Sequence, residues 1–144
     1  MSYRKDADKL LAALAASVEG PALALNAEGN CLATLNGMVF AFSFDEQRQC
    51  LFIQSHGGSL GQAADPVAAL EKVLEANHLW QGTAGGVLGL DEQNGELGLA
   101  YRLDFPLPGE EFPETLLCGL MPHLAGVTEW CRDCVAPDNG HAAG

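Results

Sequence analysis

Two spacings of apolar residues run along the chain, and they predict helices and strands in alternating blocks. Leu10, Leu11, Leu14 and Val18 recur at three- and four-residue spacing, which predicts an amphipathic helix over residues 6–18. The same spacing predicts a second helix after Asp65-Pro66, an N-cap followed by proline at the first helical position.

A third helical stripe is predicted from Pro113 to Cys131. Pro122 lies inside it, and a proline in a helix interior costs about 3 kcal/mol. The sequence therefore predicts a kink near residues 119–122, or a helix in two pieces.

Strict alternation of apolar and polar residues marks the strands. Met38 to Phe44 alternates aromatic or Met side chains with smaller ones, and an Asn36-Gly37 turn joins it to the preceding strand. Similar segments predict strands at residues 22–26, 31–35 and 50–55, before a glycine-rich loop over residues 56–64.

A hairpin follows the second helix. Its two strands flank Asn94-Gly95, a pair that tolerates the positive φ values of tight turns. The order helix, three or four strands, helix, two strands, helix indicates an α+β fold with an antiparallel sheet. Length predicts a single domain over residues 1–134, with a disordered tail of small and polar residues over 135–144.

Charge narrows the possible partners. Seven Lys and Arg residues against nineteen Asp and Glu give a net charge of -12, which repels nucleic acid and anionic membrane surfaces. Asp6 and Asp8 interrupt the N-terminal segment where a secretory leader would be basic, and no apolar run has transmembrane length. Five cysteines at irregular spacing fit a reduced compartment, so a cytoplasmic location is expected.

One motif could take part in redox chemistry or metal binding: the Cys-x-x-Cys formed by Cys131 and Cys134. A zinc site would need a second pair of ligands, and a thioredoxin-like site would open a helix after a strand, whereas this motif ends the last helix. We interpret it as a helix end, with a thiol or metal protein as an alternative. No nucleophile elbow or phosphate-binding loop occurs, so no catalytic residue, metal or cofactor is predicted.

Apolar strand residues exceed what three helices can cover. A sheet face left partly uncovered is suited to binding an extended peptide or to self-association.

The chain resembles the class I type III secretion chaperones of the Tir chaperone (CesT-like) family, small acidic bacterial proteins. The residues that carry the resemblance are the Leu-Leu-Ala-Ala-Leu helix, Pro-Ala-Leu-Ala-Leu-Asn before Gly29, the Ala-Asn77 helix end, the Gly-Val-Leu-Gly-Leu-Asp91 strand, Gly-Glu-Leu-Gly-Leu from Gly95, and the C-terminal helix ending at Trp130. The match spans residues 9–130.

This resemblance implies an α-β-β-β-α-β-β-α chaperone that forms a homodimer and has no catalytic activity. It would keep a secreted effector soluble by binding its extended N-terminal segment in the cytoplasm. A regulatory module of the same fold, which sequesters another protein, is the alternative. The resemblance implies a dimer interface along the second helix and the hairpin, comprising Leu74, Leu79, Trp80, Val87, Leu88, Leu90, Leu97 and Leu99. It implies effector contacts on the first helix and N-terminal strands at Leu10, Leu14, Leu23, Leu25, Leu32 and Phe52.

Overall fold

The computed structural model of the protein describes residues 2–18 and 22–136. Within those residues it contains three α-helices and five strands: α1 Arg4–Ser17, β1 Asn30–Leu35, β2 Met38–Asp45, β3 Cys50–Ser59, α2 Pro66–Asn77, β4 Val87–Asp91, β5 Glu96–Asp104 and α3 Leu116–Val135. Short 3-10 turns occupy Leu60–Gln62 and His78–Trp80. The predicted α-β-β-β-α-β-β-α order is confirmed.

The five strands form an antiparallel sheet in the order β1-β2-β3-β5-β4, which makes β1 and β4 its edges. The β1–β2 turn has positive φ at both Asn36 (52°) and Gly37 (77°), as a two-residue hairpin turn requires. The β4–β5 turn is wider. Its closing bond runs from the Gly95 N–H to the Asp91 carbonyl (2.7 Å), and Gly95 has a φ of 71°.

The described residues divide into two compact units, each built from two stretches of chain. The first unit comprises the described residues within 1–54 and 101–123, and the second those within 55–100 and 124–144. The single domain over residues 1–134 stays a prediction. Most of the predicted tail lies outside the described residues, but Val135 belongs to α3 and is buried, so the ordered part extends past residue 134.

In the first unit the segment at residues 22–26, predicted as a short strand, is not one. The Leu25 N–H donates to the Asp8 carboxylate on α1 (2.8 Å), and the Arg4 guanidinium donates to the carbonyls of Leu25 (3.4 Å) and Asn26. These backbone groups are hydrogen-bonded to side chains of α1, so the backbone groups are not available to a neighbouring strand. The segment is thereby tied to the first helix.

In the second unit β3 continues to Ser59 through residues predicted to be a loop. Gly57 and Gly58 lie against the end of α3: a Cβ at Gly57 would meet the Cys131 sulfur at 2.9 Å, and one at Gly58 would meet the Val135 side chain at 2.5 Å. The two glycines therefore allow close packing between strand and helix. Composition indicated a loop because the packing partner lies more than seventy residues away.

The last helix is assigned without a break through Pro122, so it is not in two pieces. Its buried residues recur at helical spacing on both sides of the proline: Leu117, Met121, Leu124, Thr128, Cys131 and Val135. Burial of this stripe offsets the roughly 3 kcal/mol cost of an interior proline.

Candidate functional site

An open groove crosses the outer face of the sheet in the first unit. It has a volume of ≈ 790 Å³ and is lined by the segment at residues 22–26 and by residues of β1, β2 and β3: Ala22, Leu23, Ala24, Asn26, Asn30, Cys31, Leu32, Ala41, Phe42, Ser43 and Gln54. Leu32 is 70% exposed, a large apolar side chain left uncovered within the subunit. The groove is therefore an apolar surface suited to an extended chain.

Among residues 2–18 and 22–136, no backbone group pairs with the outer edge of β1 at Leu32–Thr34, next to this groove. The turn at Asn36-Gly37 makes Leu35 and Met38 a hydrogen-bonded pair, so the backbone groups of Leu32 and Thr34 point away from β2. The next outward residue, Asn30, is already paired: its carbonyl accepts from the Asn26 N–H (2.8 Å), and its own N–H donates to the Asn26 side chain (2.9 Å). The stretch from Leu32 to Thr34 is thus where a further strand could pair.

Of the six residues predicted to contact an effector, the structure places Leu23 and Leu32 together in the groove. Phe52 is half-buried on the outer sheet face, with the Arg102 guanidinium 5.9 Å from its ring centre. Leu10 and Leu14 are instead buried in the first unit, because the predicted stripe of α1 is its core-facing side. Leu25, in the segment at residues 22–26, is buried as well. These three residues are removed from the proposed contact surface.

A second apolar surface lies on the second unit, where the chain leaves α2. Leu79 and Trp80 are 67% and 60% exposed, and both have left-handed backbone conformations with φ values of 53° and 57°. Such conformations cost L-residues with large side chains roughly 1–2 kcal/mol each. Strain that holds two large apolar side chains in solvent is typical of a functional surface.

Further exposed apolar residues of the second unit lie on α2 and on the edge strand β4. Leu74, Val87 and Leu90 are exposed, as are Val67 on α2 and Trp130 on α3, which the sequence pattern did not single out as surface residues. Leu88, Leu97 and Leu99, also predicted for the interface, are buried within the subunit. They share one face of the hairpin with Leu90, which stays exposed near the turn, whereas Val87 lies on the opposite face. Five of the eight predicted interface residues are available to a partner. We call Leu74, Leu79, Trp80, Val87 and Leu90 the α2–β4 patch.

The hairpin glycines serve different purposes. A Cβ at Gly86 would approach the Ala100 carbonyl at 3.0 Å, and one at Gly98 would approach the Ser55 carbonyl at 3.3 Å, so both allow close approach of backbone within the unit. Gly89, opposite Gly98, has open space around it. The described residues therefore give no packing reason for a glycine at position 89.

The Cys-x-x-Cys motif is explained by packing in the second unit. Cys131 is fully buried against Gly57, and burial raises the pKa of its thiol from 9.0 to about 11. Burial likewise raises the pKa of Cys134. Within residues 2–18 and 22–136 no group of three or more His, Cys, Asp and Glu side chains could hold a metal ion. A thiol held protonated at neutral pH is a poor nucleophile and a poor metal ligand.

Replacing each cysteine by serine distinguishes a packing role from a role in thiol chemistry or metal binding. We expect Cys134→Ser to leave stability nearly unchanged and Cys131→Ser to lower the free energy of unfolding by about 1–3 kcal/mol, because a hydroxyl would enter an apolar site. Binding of an effector segment, which the resemblance implies, should survive both changes when measured on folded protein. Loss of binding in folded Cys134→Ser would contradict a packing role.

The burial of Cys131 also predicts a pH dependence. Its folded-state pKa is raised from 9.0 to about 11, so its contribution to stability is complete below pH 9 and is lost as the pH rises toward 11. Denaturant titrations between pH 8 and pH 11 should show stability falling, and the fall should be smaller in Cys131→Ala, measured against its own stability at pH 8.

The part of the chain that the structure describes has no helix with the length and apolar character needed to cross a membrane. Its polar side chains are mostly solvated, and the ion pairs of Arg48 with Asp45 and of Arg102 with Asp104 lie at the surface. An open apolar groove with a free sheet edge, and a separate strained apolar patch, define a protein that binds other polypeptides.

The chain belongs to the Tir chaperone protein (CesT) family, whose sequence model matches residues 9–130. It is accordingly a type III secretion chaperone. A comparison with proteins of curated function found no match.

Solved structures share the fold at low sequence identity. The ExsC–ExsE complex gives a TM-score of 0.74 at 15% identity, covering 94% of this chain and 98% of that chain. The HopA1–SchA chaperone–effector complex gives 0.67 at 21% identity, covering 90% and 95%. The Yersinia pestis type III secretion chaperone SycH, in complex with a stable fragment of YscM2, gives 0.61 at 17% identity, covering 84% and 95%.

Proposed function

We propose that this chaperone binds the extended N-terminal segment of a secreted effector in the bacterial cytoplasm, and that it does so without catalysis. The observation that carries the proposal is the groove beside the open edge of β1. An extended segment paired with the Leu32–Thr34 edge would gain backbone hydrogen bonds. Its apolar side chains would enter the groove at Leu23 and Leu32.

The acidic charge of the protein is consistent with this role. A net charge of -12 favours solubility while apolar surface is exposed. The solved structures that share the fold include a chaperone–effector complex, HopA1–SchA, which supports an effector segment as the occupant.

We further propose that the protein is a homodimer joined through the α2–β4 patch. Leu79 and Trp80 are its candidate anchors, since large apolar side chains near the centre of an interface contribute most of its binding energy. Dimerisation would cover the strained turn and give each assembly two effector grooves.

The groove is tested by Leu32→Asp. Because Leu32 is 70% exposed, the change should leave folding intact. It should weaken effector binding at least about 30-fold, the effect of losing an interface anchor worth roughly 2 kcal/mol. The measurement is isothermal titration with the N-terminal segment of an effector that co-purifies with the chaperone from the native cell.

Val39→Asp is the matched control, since Val39 is a 52% exposed apolar residue on the same sheet face that does not line the groove. Thr34→Pro tests strand pairing separately: it removes an outward N–H from the edge strand while the bonds to β2 remain. Wild-type affinity in both Leu32→Asp and Thr34→Pro would overturn the proposed site.

A further inference from the structure

The free edge of β4 is occupied by a side chain of the same subunit. The Asn77 side-chain amide donates to the Leu88 carbonyl (2.8 Å), and its oxygen accepts from the Leu88 N–H (2.8 Å). Asn77 is the last residue of α2, and it is held in place by the close turn that follows, in which the Gly82 N–H donates to the Ala76 carbonyl (2.9 Å).

The register shows that these are the bonds a further strand would make. Both backbone groups of Leu88 point to Asn77, hence away from β5, and the alternation of an antiparallel pair turns Leu90 outward as well. The side-chain amide thus imitates one peptide unit of a neighbouring strand. With Leu88 occupied, Leu90 is the residue before the turn whose backbone groups still face outward. A single residue is too short for stable strand pairing.

Exposed apolar side chains lie on and near β4, so an unoccupied β4 edge would be prone to pair with another strand. Val87 and Leu90 are exposed on β4, and Leu79 and Trp80 are exposed just after the end of α2. An apolar edge strand with free backbone groups pairs readily with another copy of itself, and such pairing leads to aggregation.

We propose that the Asn77 side chain, by occupying the backbone groups of Leu88, prevents a second copy of this chain from adding a strand at the β4 edge. With the edge occupied, copies meet at the α2–β4 patch through side chains, and extended chains are accepted at β1. This inference concerns self-association, so it stands or falls independently of effector binding.

The test is Asn77→Ala, with sedimentation velocity on the full chain from about 1 to 100 μM. We expect concentration-dependent species larger than those of the wild type. In those species the Leu88 amide should be protected from hydrogen exchange, whereas in dilute Asn77→Ala it should exchange faster than in the wild type. Asn77→Asp, which keeps an acceptor for the Leu88 N–H but places a carboxylate oxygen against its carbonyl, should change association in the same direction.

Two controls separate edge exposure from simple loss of stability. Asp65→Ala removes the N-cap bond to the Ala68 N–H at the other end of α2 (3.1 Å) and should destabilise the helix by about 1 kcal/mol without larger species. Adding Leu90→Pro to Asn77→Ala removes an outward N–H and should abolish the larger species. Wild-type sedimentation of Asn77→Ala, or equal association in Asp65→Ala, would overturn the proposal.

Discussion

Replacing Leu79 and Trp80 together by asparagine should convert the proposed dimer into a folded monomer of 15.1 kDa. Each side chain is large, apolar and more than half exposed, and anchors of this kind contribute about 2 kcal/mol or more to an interface. Loss of both anchors weakens association by up to roughly a thousandfold, the value that two full contributions of about 2 kcal/mol would give. Sedimentation equilibrium at micromolar concentration measures the change.

Asparagine is chosen because of the backbone. Both positions have positive φ, and asparagine enters the left-handed region more readily than leucine or tryptophan. The monomer should therefore be as stable as the isolated wild-type subunit, or slightly more stable, which separates a loss of interface from a loss of fold.

Val39→Asn serves as the control, since it removes an exposed apolar side chain from the first unit. It should leave the oligomeric state unchanged. A wild-type protein that already sediments as a monomer, or a double variant that remains dimeric, would refute the proposed interface.

Gly58→Ala should lower the free energy of unfolding by about 3 kcal/mol, the largest stability effect we expect from a single methyl group in this chain. The residue has a φ of 100°, which strains any L side chain, and its Cβ would lie 2.5 Å from the Val135 side chain. Backbone strain contributes roughly 1–2 kcal/mol and the overpacking a similar amount. Urea denaturation followed by circular dichroism measures the change.

Gly95→Ala is the matched control within the same unit. Gly95 also has positive φ, 71°, but its Cβ would meet no atom within 4 Å. It should therefore cost about 1 kcal/mol, the strain alone. Equal losses in the two variants would show that the contact with the end of α3 contributes little. Adding Val135→Ala to Gly58→Ala should restore part of the loss by giving the new methyl group room.

The two proposed surfaces use the sheet differently. At β1 the backbone of Leu32 and Thr34 is open and a groove lies alongside, which favours an extended partner. At β4 the Asn77 amide occupies the backbone of Leu88, which favours contact through side chains. We therefore expect the first unit to bind an effector segment by strand pairing and the second unit to contact a second copy through side chains.

Local patterns determined most of the architecture. The N-cap of α2 is an example: Asp65 accepts from the Ala68 N–H, and Pro66 follows at the first helical position, as the sequence indicates. The alternation of Met38 to Phe44 likewise gives a strand with one buried face. These features depend on residues a few positions apart, so sequence is sufficient to predict them.

Surface exposure could not be predicted in the same way. The family resemblance implies effector contacts on the apolar stripe of α1, but Leu10 and Leu14 of that stripe face the core. In the hairpin, alternation showed that residues of opposite parity face opposite ways, yet only the tertiary structure showed that Leu88 is covered and Val87 is not. Periodicity identifies a face, whereas burial depends on what packs against it.

The sequence by itself determined the order of elements, the hairpin turns, the acidic character and the resemblance that led to the family. The tertiary structure decided which apolar residues remain exposed, why Gly57 and Gly58 belong to a strand, and how Asn77 occupies an edge eleven residues away. The physical reason is the range of the interactions: propensity and turn chemistry act between neighbours, while close packing and edge pairing join residues that the chain brings together only on folding.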